Sequence, residues 1–376
     1  MDHILVRYGD IGTKSASVRG RMVKILRQRI EDRLEYEDEE YDSVTDIPGR
    51  LIVKNARPEA SEAVAELPGV ASASPVKELE SEIEALKNAA EDVEIGESFG
   101  IDTNRSGSHD FSSMDVNREV GTFVQDFSGA EVDLDDPETW IKFDVRDEKA
   151  FMYTETFEGP SGMPVGAADP LAALISGGID SPVAAYEVMK RGSDITPVYF
   201  YNRPIAAEDH LMRFKASVEK LKRFHPSKDW EAYIVDMKEV NEELMDIGRG
   251  RMLLHRYIMF GIAEKIAEQE NLQGIVTGEA LSQKSSQTSS NMRNTSSATD
   301  FPIHRPLLTR GKAEITEKAR ELGTFEEASI DSACRTMAPE SPATRMSNGD
   351  FEKLKRRIDV DELVEKALEN TRKEEI

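Results

Sequence analysis

The run Ser176-Gly177-Gly178-Ile179-Asp180-Ser181 has the composition of a site that handles polyanions. Two consecutive glycines let the backbone approach a ligand closely, and the serine hydroxyls add donors. The run follows the apolar stretch "LAALI" and opens a predicted helix, so helix N-terminal N–H groups point into the same space. The spacing is not G-x-x-x-x-G-K-[ST], which excludes a Walker loop. Asp180 sets a negative charge beside an anion site, and a Mg2+ ion would reconcile the two. A second chemical signal is Cys334, the only cysteine in 376 residues. Its surroundings, "SIDSACRTMAPESP", are polar and contain prolines, which points to a loop instead of a core, and Arg335 beside it favours the thiolate. A third is charge. Lys14, Arg19, Arg21, Lys24, Arg27 and Arg29 crowd the first predicted helix. In a chain with net charge −24, that reversal suits nucleic-acid phosphates, although a solvated helix face has the same composition.

These residues need elements to hold them. From Leu171 onward, strands alternate with helices: "LAALIS", "SPVAAYEVMKRG", "DITPVYFYN", "EDHLMRFKASVEKLKRF", "EAYIVDM", "RMLLHRYIMFGIAEKIAEQE" and "GIVTGE". This order predicts a parallel, doubly wound α/β sheet, with ligands at the carboxyl ends of its strands. The domain is assigned to residues 170–376 and closes with a charged helix over 349–376. The first 77 residues predict βαββαβ, the order of a ferredoxin-like α+β domain, with Val18, Met22, Ile25, Leu26 and Ile30 as the buried stripe of its first helix. A second α+β unit is assigned to 78–160, with a boundary that a family profile would set nearer 58. It should contain a helix over "ELESEIEALKNAAEDV", a strand over "SFGIDTNRSG", a helix capped by Ser112 or Ser113, and two strands in "TWIKFDVRDEKAFMYTETF". The Pro- and Gly-rich stretch 158–170 reads as a linker.

Composition bounds what this chain is. Hydrophobic residues are 39% and charged residues 32%, enough apolar material for packed domains instead of wholesale disorder. The 72 acidic residues against 48 basic ones fit a salt-rich cytosol and argue against indiscriminate nucleic-acid binding. No apolar run reaches the roughly 18 residues of a membrane span, and "MDHILVRYGD" lacks a signal-peptide pattern, so a cytoplasmic location is expected. A single cysteine leaves no internal disulfide and no cysteine-based zinc site.

The glycine loop resembles the SGGxDS motif, or PP-loop, of ATP pyrophosphatases, which implies cleavage of ATP between the α- and β-phosphates and adenylation of a carbonyl oxygen. Four further stretches narrow the resemblance. "RSGSHDFSSMDVNREVG" (105–121) is similar to the hallmark of a THUMP domain in the 4-thiouridine synthetase family ThiI. "VTGEALSQKSSQT" (276–288) resembles that family's VTGExLGQVxSQT, with Ser282 and Lys284 in place of its Gly and Val. "HRPLLTRGKAEI" (304–315) resembles RPLxxxDKxEI, and "RYGDIGTKSASVR" fits the family's opening. The fold implied is an N-terminal ferredoxin-like domain, then THUMP, then a PP-loop ATP pyrophosphatase domain.

The resemblance implies ATP-dependent formation of 4-thiouridine at position 8 of tRNA. The uracil C4 oxygen is adenylated, and sulfur then displaces AMP. It assigns Ser176, Gly177, Gly178, Asp180 and Ser181 to the loop, and Leu174, Ile175, Tyr199, Phe200, Arg256, Gly278 and Gln287 to ATP. Lys312 would stand near the phosphates and Asp180 on Mg2+. Tyr199 and Phe200 would hold adenine. Arg105, Ser108 and His109 join Lys14, Arg19, Arg21, Lys24 and Arg27 as tRNA contacts, read by RNA shape and backbone. Cys334 would handle sulfur. The chain has no match to the rhodanese domain of some bacterial members and no second cysteine. Either Cys334 takes a persulfide from a cysteine desulfurase and an external thiol resolves it, or free sulfide attacks directly. A homodimer is compatible with all of this. Two rival functions are another PP-loop ligase acting on a small amide or acid, and a catalytically silent tRNA-binding protein. The THUMP-like motif argues against the first and the intact SGGIDS loop against the second.

Overall fold

The apolar run near the N-terminus becomes β1 (His3–Arg7), with Ile4, Leu5 and Val6 fully buried. The computed structural model describes residues 2–205, 208–328 and 343–376, which fall into two compact units, 1–163 and 164–376. After β1, a 3-10 turn leads into α1 (Ala16–Tyr36), whose Met22, Leu26, Ile30 and Leu34 recur every four residues and pack inward. Val18, expected on that stripe, is exposed, so the buried face starts one turn later. Lys14 lies ahead of α1 and not on it. β2 (Ser43–Ile47) and β3 (Arg50–Lys54) form the expected hairpin around Gly49, whose φ of 79° suits glycine. α2 (Ala60–Ala65) and β4 (Ser72–Glu80) complete the βαββαβ order.

β4 is longer than expected, and its length joins the two N-terminal parts. It pairs antiparallel with β1 as far as Val76 and with a later strand from Lys77 to Glu80. The helix expected over "ELESEIEALKNAAEDV" is therefore shorter: α3 (Ile83–Ala90). β5 (Ser98–Ser106) and α4 (Ser113–Ser128) follow, and α4 is closed by a reciprocal Ser112–Asp115 capping box. β6 (Glu131–Val132), β7 (Thr139–Arg146), β8 (Lys149–Tyr153) and β9 (Phe157–Glu158) finish the unit. The nine strands form one sheet in the order β2-β3-β1-β4-β8-β7-β5-β6, with β9 on β4.

In the second unit, β10 (Met163–Leu174) begins inside the stretch expected as a linker. Its two prolines and Gly166, with φ of 94°, hide the strand pattern in the sequence. Then come α5 (Asp180–Met189), β11 (Arg191–Tyr201), α6 (Glu208–Lys222), β12 (Glu231–Asp236), α7 (Lys238–Leu244), α8 (Arg251–Gln269) and β13 (Ile275–Thr277). α9 (Ser289–Ser296), β14 (Ile303–His304) and α10 (Lys312–Glu321) precede the C-terminal part. The single charged helix expected there is instead α11 (Asn348–Lys355), α12 (Val360–Glu369) and β15 (Thr371–Glu375). The sheet order is β14-β13-β10-β11-β12-β15. β10–β13, β11–β12 and β13–β14 are parallel, and the edge strand β15 runs antiparallel to β12.

Both faces are covered, as a doubly wound sheet requires. Successive strand residues enter opposite cores. Ala173, Ile175 and Tyr199 pack with α5, α6 and α10. Ala172, Leu174 and Phe200 pack with α7, α8 and α12. No helix among the described residues is long and apolar enough to cross a membrane.

Candidate active site

The glycine loop joins β10 to α5, and its serines first shape the loop itself. Ser176 N donates to Ser181 Oγ at 2.8 Å, the two hydroxyl oxygens lie 3.0 Å apart, and Gly178 N donates to Ser176 Oγ at 3.3 Å. The glycines are needed for contact. A Cβ on Gly177 would sit 3.0 Å from the His210 carbonyl oxygen of α6. A Cβ on Gly278, just past β13, would sit 2.8 Å from Ser181 N and 2.9 Å from Asp180 C. Gly278 thus lets one strand end pack directly on the first turn of α5.

The ends of β10, β11 and β13 open into one cleft of about 180 Å³. Every residue expected at the nucleotide site, from Leu174 to Gln287, lines it, as does Asp180. Their roles within it differ. Leu174 and Phe200 face the α8 side, where Met259 and Phe260 continue the apolar wall. The Tyr199 ring turns to the other core and stacks on Phe214, with centroids 4.8 Å apart. Two neighbours on a strand point to opposite faces, so these two rings do not form one aromatic clamp.

The charged groups are organised in pairs. Asp180 Oδ1 accepts from Lys312 Nζ at 2.6 Å, and its Oδ2 accepts from Gln283 Nε2 at 3.3 Å. The lysine expected near the phosphates therefore already stands at the loop. Glu279 is buried in the cleft wall, between Arg256 Nη1 at 2.5 Å and Arg305 Nε at 2.7 Å. His255 is also buried, and desolvation, then the neighbouring Arg256 charge, push it down to about 4. It is neutral at pH 7. Its Nε2–H donates to Asn202 Oδ1 at 2.8 Å, because the Asn202 amide nitrogen is committed to the Phe200 carbonyl.

Glu279, Gln283, Arg305, His255 and Asn202 were not anticipated from the sequence. Glu279 and Gln283 lie within the quoted "VTGEALSQ", but their partners come from elements far along the chain, and only the fold brings them together. Two acceptors in this region, Gln287 Oε1 and Gln283 Oε1, are buried with no hydrogen-bond partner among the described residues. A buried acceptor of this kind is a place for a ligand donor. The loop that carries both glutamines is closed by Ser282 N donating to the Gln287 carbonyl and Gln287 N to that of Lys284, each at 2.8 Å.

Cys334, with Arg335, lies outside the described residues. The flanking chain is held beside the cleft. The Ala328 carbonyl accepts from Arg213 Nη1 at 3.4 Å, next to the glycine loop through Gly177. Asn291 Nδ2 donates both to Ala343 O at 2.8 Å and to Ser285 O at 3.0 Å, within the cleft loop.

The expected RNA contacts belong to the first unit. Lys14, Arg19, Arg21 and Lys24 are exposed. Arg27 lies 3.9 Å from Glu31, and Arg29 is tied to Asp32 at 3.1 Å, so the free basic surface is the start of α1 and not its full length. Arg105 Nη1 donates to the Gly107 carbonyl at 3.1 Å, and His109 stacks on Phe111, with centroids 5.2 Å apart. Ser108 is exposed between them. Gly107 has φ of 98°, and a Cβ there would meet Asp147 Oδ1 at 2.3 Å, so this loop is packed onto the β7–β8 turn.

Comparison with known proteins finds family models over three successive stretches of the chain. The family model described as thiamine biosynthesis protein (ThiI) matches residues 166–360. The THUMP domain matches 76–155, and the ThiI ferredoxin-like domain 3–74. A probable tRNA sulfurtransferase of Halobacterium salinarum is 40% identical over 353 residues, covering 91% of this chain and 90% of that protein. The tRNA sulfurtransferase of Thermoplasma volcanium is 32% identical over 376 residues, covering 97% of this chain and 77% of that protein. Among solved structures, a 4-thiouridine synthetase–RNA complex with bound ATP superposes with a TM-score of 0.86 at 28% identity, covering 100% of both chains. PH1313 of Pyrococcus horikoshii shares the fold, with a TM-score of 0.67 at 24% identity over 86% of this chain and 100% of that one.

Proposed function

The chain belongs to the ThiI family, and from that premise we propose how its residues divide the work of ATP-dependent tRNA thiolation. The observation that carries the reading is convergence. The SGGIDS loop, Lys312, Arg256 and Gln287 come from four separate stretches of chain and meet at one cleft or its rim. ATP lies with its phosphates on the loop, where backbone N–H groups and the start of α5 favour negative charge. The base lies along Leu174, Phe200 and Met259, and the unpartnered Gln287 Oε1 accepts from a nucleotide donor.

The C4 oxygen of uridine 8 attacks the α-phosphorus, the bond to the β-phosphate breaks, and pyrophosphate leaves. Lys312, exchanging its carboxylate partner for phosphate, stabilises the charge that develops on the leaving group. No group of three metal-ligating side chains occurs among the described residues. Asp180 offers carboxylate oxygens at the loop and is the residue that would hold a Mg2+ ion there. Such an ion supplies neutralisation of phosphate charge. A sulfur nucleophile then adds at C4, the C4–O bond breaks, and AMP departs.

The sulfur comes from either of two sources. If Cys334 carries a persulfide, its terminal sulfur attacks, and an external thiol must break the remaining sulfur–sulfur bond, because the sequence holds no second cysteine. If free sulfide attacks, no reductant is needed. The anchoring of Ala328 and Ala343 beside the cleft supports a role for the segment between them.

The test is incubation with ATP, Mg2+, unmodified tRNA and sulfide, followed by the near-ultraviolet absorbance of 4-thiouridine. Thiouridine and pyrophosphate should form together, and Asp180→Ala should lower both by roughly two to three orders of magnitude. Pyrophosphate release on a small amide with no thiouridine would transfer the reading to a different PP-loop ligase.

A further inference from the structure

A cleft that receives a polyphosphate is a poor place for an uncompensated carboxylate, yet Glu279 lines this one and is only 2% exposed. A buried carboxylate persists when it is paired and its lone pairs are filled. Both Glu279 oxygens are filled, and the two arginines that fill them stand differently. Arg256 reaches from α8 and itself lines the cleft. Arg305 is not among the lining residues. Its Nη2 donates to Ser296 Oγ at 2.8 Å, and its guanidinium lies 5.9 Å from the centre of the Phe260 ring. One carboxylate between two guanidiniums leaves the group with a net positive charge. With Arg256 alone, the pair would be neutral.

We infer that Glu279 is a positioning residue for the nucleotide: it holds Arg256 at the cleft wall in the orientation that meets ATP. Arg305 supplies the second positive charge, so the carboxylate that does the holding does not repel the ligand. An arginine on an exposed helix face loses side-chain freedom when it grips a phosphate or ribose, whereas one already fixed loses little. The inference rests on the proposal that Arg256 touches ATP, and the experiment separates the two.

Equilibrium binding of ATP with Mg2+ is measured for the full chain, Arg256→Gln, Glu279→Gln and the double variant, with tRNA affinity as control. Each single change should weaken ATP binding about tenfold, as expected for losing a charged hydrogen bond. The double change should also cost about tenfold instead of a hundredfold, because one residue acts through the other. Affinity for tRNA should stay constant throughout. Unchanged ATP binding in Arg256→Gln would overturn the nucleotide assignment and the inference with it. A loss in Arg256→Gln with none in Glu279→Gln, or a hundredfold loss in the double, would overturn the inference alone. If Glu279→Gln fails to fold, the charge-balanced pair Glu279→Gln with Arg305→Gln replaces it. That pair should lose the same tenfold, and wild-type affinity there would also overturn the inference.

Discussion

Ser282 has φ of 63°, a left-handed backbone that an L side chain adopts at a cost of roughly 1–2 kcal/mol. The resemblance to VTGExLGQVxSQT places glycine at this position, and here the loop keeps the glycine conformation without the glycine. Ser282→Gly should therefore raise stability by about 1 kcal/mol, read as a higher melting temperature, with the 282–287 turn preserved by the bond from residue 282 N to the Gln287 carbonyl. A lower melting temperature would mean that the hydroxyl contributes more than the backbone costs. At this scale the sequence was informative where a residue type has one job. Gly177 and Asp180 could be placed from their own chemistry. Glu279 could not, because its meaning comes from Arg256 and Arg305, which lie 23 and 26 positions away. Tyr199 and Phe200 both line the cleft but pack into opposite cores. Both were assigned to adenine, and the alternation of a strand sends the Tyr199 ring to the other face.

The elements that hold the cleft are joined by close backbone contacts. The end of β13 lies on the first turn of α5 because Gly278 has no side chain. Gly278→Ala would put a methyl group 2.8 Å from Ser181 N and push the glycine loop aside. The expected result is a destabilisation of about 1–3 kcal/mol together with weaker ATP binding, measured by chemical denaturation and equilibrium binding. If stability fell while ATP affinity held, the loop would be less dependent on β13 than the contact implies. Core strands and long helices of both units were legible because their apolar periodicity is strong. β15 was not. "TRKEE" has no apolar side chains, and it forms a strand only because β12 presents an open edge and Lys373 reaches Glu270 at 2.8 Å. The N-terminal half of β10 was hidden by its prolines, and the second half of β4 by the glutamates that alternate along it.

Over the whole molecule, charge sets the terms on which RNA can bind. A chain of net charge −24 repels a polyanion except where basic side chains are concentrated. In the first unit, exposed basic side chains gather just ahead of α1 and along its first turns, at Lys14, Arg19, Arg21 and Lys24, while Arg27 and Arg29 have carboxylate neighbours. Lys14→Glu with Lys24→Glu should weaken tRNA binding and flatten its dependence on salt, by about one unit of slope per lost phosphate contact. ATP binding should not change, and an unaltered slope would move the RNA surface elsewhere. The proposed activation of the uracil oxygen, adenylation by ATP, can be followed atom by atom. Its most direct measurement uses tRNA carrying oxygen-18 at C4 of uridine 8, with the products of a thiolation reaction resolved by mass. The label should leave in AMP, one atom per 4-thiouridine formed. Label in orthophosphate with release of ADP, or label in water, would contradict it.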